Sequence, residues 1–139
     1  MDTSRPLHVL LVHVWYWPHV GGGDQHVEQI GRELVRRGHR VTVWCADVPA
    51  HEERRFTRGG VEVIRIGPSR VLGGVDPVVS VRDLDLSDVD VVHLHDTLPV
   101  LIRRTLSKAK GAGKPVVKTY HNDYVHTTAN EQAAKSVRW

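Results

Sequence analysis

Three short clusters in this chain combine residue types that can do chemistry: Gly21-Gly22-Gly23-Asp24, His93-Leu94-His95-Asp96 and His121-Asn122-Asp123. A glycine-rich turn that opens a helix suits an anion, because unpaired backbone N–H groups and the helix dipole both favour negative charge. Glycine also lets a ligand approach the backbone with no Cβ in the way. By spacing alone the same turn reads as a tight bend that simply feeds the helix. It is not a dinucleotide fingerprint, since His26 stands where G-x-G-x-x-G needs its third glycine. Nor is Gly111-Ala112-Gly113-Lys114 a P-loop: Pro115 and a strand-like run follow, where Ser or Thr and a helix are required.

His93 and His95 are two apart in an extended run and so share one face, with Asp96 just beyond. Three readings are open: polar groups lining a cleft, buried hydrogen-bonded histidines, or a metal site completed by His121 or Asp123. The last would make the chain a metal-dependent hydrolase working through His93, His95 and Asp96, but a lone H-x-H-D lacks a full ligand set. His121, with Asp123 two residues on, suits proton handling or polar recognition near neutral pH. Trp15, Tyr16 and Trp17 form an aromatic run that can stack on sugars, sit at a membrane interface or pack against a second domain.

The surrounding sequence supplies the elements that would position these clusters. Leu7 to Val14 is nearly continuous apolar sequence rich in Val and Leu, the signature of a strand buried on both faces of a parallel sheet. Val27, Ile30, Leu34 and Val35 then recur at helical spacing, with Asp24 as the expected N-cap and Gly38 as the stop. Arg40–Ala46 and Val61–Ile66 read as further strands, the second alternating as an edge or half-exposed strand does. The charged stretch from Asp47 to Arg58 reads as an exposed loop, and Gly67 to Asp83 as mostly loop. A strand over Val89–His95 leads to a helix capped by Thr97, with Pro99 in its first turn and Gly111 and Gly113 at its end. Pro115–Tyr120 is the last expected strand. Alternating strands and helices predict an open α/β, Rossmann-like and mainly parallel sheet with helices on both faces. All three clusters then fall at carboxyl ends of strands, where such sheets bind ligands.

The chain has 139 residues, enough for one domain, with 40% hydrophobic and 25% charged residues. No run approaches the ~18–20 apolar residues of a membrane span, and residues 1–6 lack the apolar core of a secretory signal. The single cysteine, Cys45, is compatible with a reducing compartment, so the expected location is cytoplasmic. From Thr97 to Asn122 there is no acid, while Arg103, Arg104, Lys108, Lys110, Lys114 and Lys118 are basic. That block suits phosphate or an anionic membrane surface, or is a solvated helix face; no motif for nucleic-acid binding accompanies it.

Tyr16 to Val27, continuing through Leu34 to Arg37-Gly38-His39-Arg40-Val41-Thr42-Val43, resembles the N-terminal signature of family 4 retaining glycosyltransferases. Val89 to Asp96 and Val117 to Asp123 resemble the next two markers of that family, so the resemblance covers roughly residues 7–125 in order. It implies the N-terminal half of a GT-B fold, in which two Rossmann-like domains face each other across a cleft. Residues 1–125 would form the acceptor-side domain and residues 126–139 would begin a further helix. Gly21 and Gly22 would then approach the diphosphate of a nucleotide-sugar donor, and His121 would lie beside the reacting centre. His95, Asp96, Asp123 and Tyr16 would line the acceptor side, for a sugar, lipid-linked or small-molecule acceptor. Asp24 stands where the family often has Glu, and Asn122 where a glycine is common. The resemblance implies no resident cofactor and no structural metal. It also implies a donor-binding half, in a C-terminal domain or a partner chain, without which this polypeptide would be inactive. A peripheral contact with the inner face of the membrane would suit a lipid-linked acceptor.

Overall fold

A computed structural model describes residues 5–19 and 21–120. Strand β1 (His8–Val12) is buried at every position, as its apolar sequence requires. It pairs in parallel with β2 (Arg40–Ala46) on one side and with β7 (Val91–His95) on the other. Beyond β2 lie β4 (Val61–Ile66), parallel, and β3 (Arg55–Arg58), antiparallel; beyond β7 lies β8 (Val116–Thr119), parallel. The strand order is β3-β4-β2-β1-β7-β8, and β5 (Arg70–Leu72) and β6 (Asp76–Val78) form a separate antiparallel hairpin. This is the expected Rossmann-like α/β sheet, parallel except for β3.

Helix α1 (Gly22–Arg36) covers one face, packing Val27, Ile30 and Leu34 against Leu11, Val43 and Val63. Helix α2 (Val100–Gly111) covers the other, where Leu101, Ile102 and Ala109 meet Leu10, Val12, Val92 and Leu94. Each large apolar side chain buried in these layers contributes about 1.5–3 kcal/mol. The close approach of α1 to the sheet depends on Gly31. A Cβ there would lie 3.1 Å from Val61 Cγ2 and 3.5 Å from Leu11 Cδ1. The third glycine of a dinucleotide fingerprint is absent, yet a glycine five residues after His26 does the same packing work.

Two local expectations are corrected and two are refined. Arg55–Arg58 is a strand, not loop, because its backbone pairs with β4; basic residues are common on such edges. β3 therefore holds the edge and β4 is internal, while the alternating burial of β4 is the half-exposed pattern expected of it. The Gly67 to Asp83 stretch contains the β5–β6 hairpin, turned by Gly73 and Gly74 at φ of 56° and 73°. Neither Asp24 nor Thr97 caps a helix. Gly21 and Pro99 occupy the N-cap positions without side-chain bonds, and the free N–H of Val100 donates to the Asp76 carboxylate at 3.1 Å. The stop of α1 is as expected: Gly38 has φ of 90°, and its N–H donates to Val35 O at 2.9 Å.

Much of the basic block is tied to the backbone. Arg103 donates to Leu98 O, Arg104 to Val79 O, Lys108 to Arg82 O and Lys114 to Ser87 O. The last three fasten α2 and the turn after it to the segment that follows β6.

Replacing Gly31 by Val forces two methyl groups into the α1–sheet contact, and overpacking of this kind costs about 1–3 kcal/mol. Chemical denaturation of the variant is expected to show a lower midpoint with an unchanged slope. Burial pushes the Cys45 thiol up to about 12. The folded chain should therefore leave a thiol-reactive dye unmodified at pH 8, whereas denaturant should make Cys45 react. The same shift makes alkaline pH destabilising: stability is lost as pH rises from the unfolded thiol value of about 8.5 toward 12.

Candidate active-site crevice

The chain winds from β1 through β2 to β4 on one side, then returns to place β7 and β8 on the other side of β1. The point between β1 and β7 is thus a topological switch point, where loops leaving the carboxyl ends diverge and a ligand crevice opens. A groove of about 330 Å³ lies there, lined by His13, Val14 and Trp15 after β1, Asp96, Leu98 and Pro99 after β7, and Val75 and Asp76 from the hairpin. It combines an aromatic wall, two carboxylates and an imidazole, a set suited to a polyhydroxylated ligand.

Asp96 is the residue held most tightly against its preference. Its φ of 97° is the only positive value at a non-glycine residue among those described, a conformation costing on the order of 1–3 kcal/mol. Two bonds hold it: its N–H donates to Thr119 O at 2.9 Å, and its Oδ1 accepts from Thr97 N at 2.7 Å. Strain fixed in this way at the rim of a crevice fits a binding role.

His93 and His95 share a face as expected, with ring centroids 4.0 Å apart, and His26 of α1 approaches His95 at 6.0 Å. His93 Nε2 meets Thr119 Oγ1 at 2.7 Å. His95 is completely buried, so among the described residues it stands behind the groove while Asp96 lines it. No group of three or more potential metal ligands occurs among the described residues, and His121 and Asp123, the further ligands a metal site would draw on, lie outside them. Tyr16 also stands back from the surface, 5% exposed in the core beneath α1, and its hydroxyl has no hydrogen-bond partner among the described residues. Desolvation there pushes the phenol up to about 12, with Glu28 acting in the same direction. His121 and Asp123 lie outside the described residues.

The glycine turn differs from its sequence reading. Gly21 is extended, with φ of −152°, so its backbone angles do not demand glycine. Space does. A Cβ at Gly21 would fall 2.8 Å from Asp24 Oδ1 and 3.3 Å from His19 Cε1. A Cβ at Gly22 would meet nothing within 4 Å. Gly21 thus makes room for an internal pair, His19 Nδ1 donating to Asp24 Oδ2 at 2.8 Å, and Gly22 offers an open backbone at the start of α1. Reading Asp24 as a cap misses His19. Their separation of five residues across a glycine turn is the available signal.

Among the described residues no helix is long and apolar enough to cross a membrane. Residues 20–139 match the family model described as Glycosyltransferase Family 4. Over 133 residues the chain is 28% identical to a phosphatidylinositol N-acetylglucosaminyltransferase subunit of Arabidopsis thaliana, covering 89% of this chain and 29% of that protein. The protein of the same name from Homo sapiens is 23% identical over 127 residues, covering 86% of this chain and 26% of its own length. The GDP-mannose-dependent alpha-mannosyltransferase of Mycobacterium tuberculosis is 33% identical over 124 residues, covering 83% of this chain and 32% of its own. The chain spans less than a third of the length of each of these relatives.

The tight space at Gly21 leads to a direct expectation. Gly21→Ala should displace the Asp24 carboxylate, and NMR should show loss of the hydrogen-bonded His19 Nδ1 proton signal. The buried carboxylate would lose its partner, lowering stability by about 1–3 kcal/mol. A variant that keeps both the proton signal and the wild-type melting temperature would disprove the steric account.

Proposed function

This chain belongs to Glycosyltransferase Family 4, and from that premise we propose that it is the acceptor-side half of an enzyme moving a sugar from a nucleotide-sugar donor to a hydroxyl group. The observation that carries this reading is the groove at the β1–β7 switch point, with an acidic and aromatic lining on one side and the open glycine turn close by in sequence. Gly22 is the donor-facing residue, since its Cβ position at the positive end of α1 is open and leaves room for a phosphate to approach the backbone. Gly21 contributes indirectly by keeping the turn compact. Asp96 faces the acceptor, with His95 supporting it from below and Tyr16 packed behind the turn. The resemblance carries His121 as the catalytic residue beside the transferred sugar and Asp123 as an acceptor contact, with retention of anomeric configuration. The nucleotide-sugar is a substrate, and the reading uses no resident cofactor or metal.

The relatives differ in the donors their names state, N-acetylglucosaminyl in one case and GDP-mannose in another, so donor choice is assigned to the other half of the cleft. A lipid-linked acceptor suits the name of the plant and human relatives. It also suits the apolar tip of the hairpin, where Val71, Leu72 and Val75 are exposed and Val75 lines the groove. On this reading the chain works in the cytoplasm at the inner face of the membrane. Stabilising a departing diphosphate requires donors that converge from both walls of the cleft. The 139-residue polypeptide is therefore inactive by itself and gains activity with a donor-binding half, joined to it or supplied as a separate chain.

Sugar transfer from labelled nucleotide-sugars should be undetectable with the 139-residue chain and appear when a donor-binding half is added; transfer by the chain alone overturns the half-cleft reading. In the active preparation, Gly22→Ala should raise the donor KM about tenfold by blocking close approach of the phosphate. The same change should leave the melting temperature equal or higher, because Ala is the better helix former. An unchanged donor KM would remove Gly22 from the donor site.

A further inference from the structure

The pair His19 and Asp24 has no part in the reading above, yet it is built as a site is built. The Asp24 carboxylate is 4% exposed and its partner imidazole 49% exposed, so a buried anion holds a ring that reaches solvent. Trp15 stacks on that ring, with centroids 5.3 Å apart and planes 26° from parallel. The backbone N–H of His19 donates to Tyr16 O at 3.0 Å, which fixes the turn from below. Gly21 is kept small by the same pair. Carboxylate, indole and backbone together leave the imidazole little freedom. The carboxylate accepts from Nδ1, so in the neutral ring that nitrogen carries the proton and Nε2 presents its lone pair. Nε2 makes no hydrogen bond among the described residues.

A lone pair on a fixed imidazole can accept from a hydroxyl. It cannot donate to a phosphate unless the ring gains a second proton, and the charge of that imidazolium would already be balanced by Asp24. Trp15 ties the position to the acceptor side, because its ring lines the groove as well as stacking on His19. We propose that His19 is a specificity-determining residue that binds a hydroxyl of the acceptor substrate through Nε2, with Asp24 and Trp15 as its positioning residues. The inference rests on the glycosyltransferase reading and adds to it a recognition contact on the acceptor side of the glycine turn.

The test uses a transferase-active preparation containing this chain, with donor and acceptor concentrations varied independently. His19→Ala should raise the acceptor KM about tenfold, the loss of one well-made hydrogen bond, with the donor KM within about twofold of wild type. His19→Gln places an amide near the Nε2 position and should recover most of the acceptor affinity; its melting temperature controls for the stranded Asp24. Asp24→Asn should raise the acceptor KM by a smaller factor. A rise confined to the donor KM would assign the ring to phosphate and overturn the proposal. Unchanged KM values for both substrates in His19→Ala would overturn it too, while transfer by the wild-type protein would leave the parent reading standing. Absence of transfer by any preparation would instead count against the parent reading. In that case, long-range imidazole ¹⁵N spectra of the 139-residue chain, titrated with myo-inositol and with uridine diphosphate, decide the matter. A His19 ring response to inositol alone supports the proposal, and a response to the diphosphate alone or to neither overturns it.

Discussion

Strand β1 is the constraint from which the rest of the described structure follows. It is hydrogen-bonded in parallel along both edges and covered on both faces, so its five residues have no freedom of register or orientation. A register slip of one residue would exchange Leu10 and Leu11 between two differently packed faces, against α2 on one side and α1 on the other. The loop leaving its carboxyl end therefore starts from a fixed point and direction. β7 is fixed through the same ladder, and the chain departs from these two neighbours toward opposite faces of the sheet. The crevice is the space that this divergence leaves. The amino ends are closed by contacts of another kind: His8 Nε2 with Thr42 Oγ1 at 2.8 Å, Asp90 accepting from His8 N and Arg5, and Arg40 paired with Asp88. Polar residues at that end stitch strands together while also lining a pocket of about 320 Å³, whereas those at the carboxyl end sit where the loops diverge.

The elements legible in the sequence are those whose side chains are sorted by burial. β1, β2, β4, β7 and α1 each bury a continuous or periodic apolar set, and hydrophobic patterning reads burial directly. The elements that escape it are stabilised by backbone pairing or by partners distant in sequence. Arg55 to Arg58 buries no residue fully and is a strand because β4 offers its edge. The hairpin strands have three residues each, too few for alternation to register, although Gly73-Gly74 is the turn chemistry such a hairpin needs. Capping is misread for a related reason. Asp24 is a favourable residue both at the N-cap and within the first turn, since the dipole rewards a carboxylate at either place. A neighbour's need decides between them, because His19 takes the carboxylate and Gly21 opens the space for it. The candidate site is legible as a set of strand ends. The division of labour between Gly21 and Gly22 is not, because it depends on what a Cβ would strike.

The charge of the described half of the crevice bears on how the whole cleft must work. The carboxylates of Asp76 and Asp96 line the groove, Asp24 reaches it through the His19–Trp15 stack, and no Lys or Arg belongs to its described lining. Arginines near the aromatic run are engaged in structure: Arg58 lies over the Trp17 ring at 4.3 Å, and Arg65 donates to Trp17 O and Glu53 O while facing Phe56. Such a surface accepts hydrogen bonds from hydroxyl groups and repels anions, apart from the short stretch of open N–H groups at the start of α1. On the proposed reading this polarity is functional. A carboxylate-lined wall orients the acceptor's hydroxyls without holding the diphosphate, and the developing negative charge of the leaving group must be met by cations on the opposing wall. Separating hydroxyl recognition from charge neutralisation also limits unproductive binding of free nucleotide on the acceptor side. On the same reading the His19–Asp24 pair extends this logic to the glycine turn, where a buried carboxylate would orient an imidazole toward a hydroxyl beside Gly22, whose Cβ position is open.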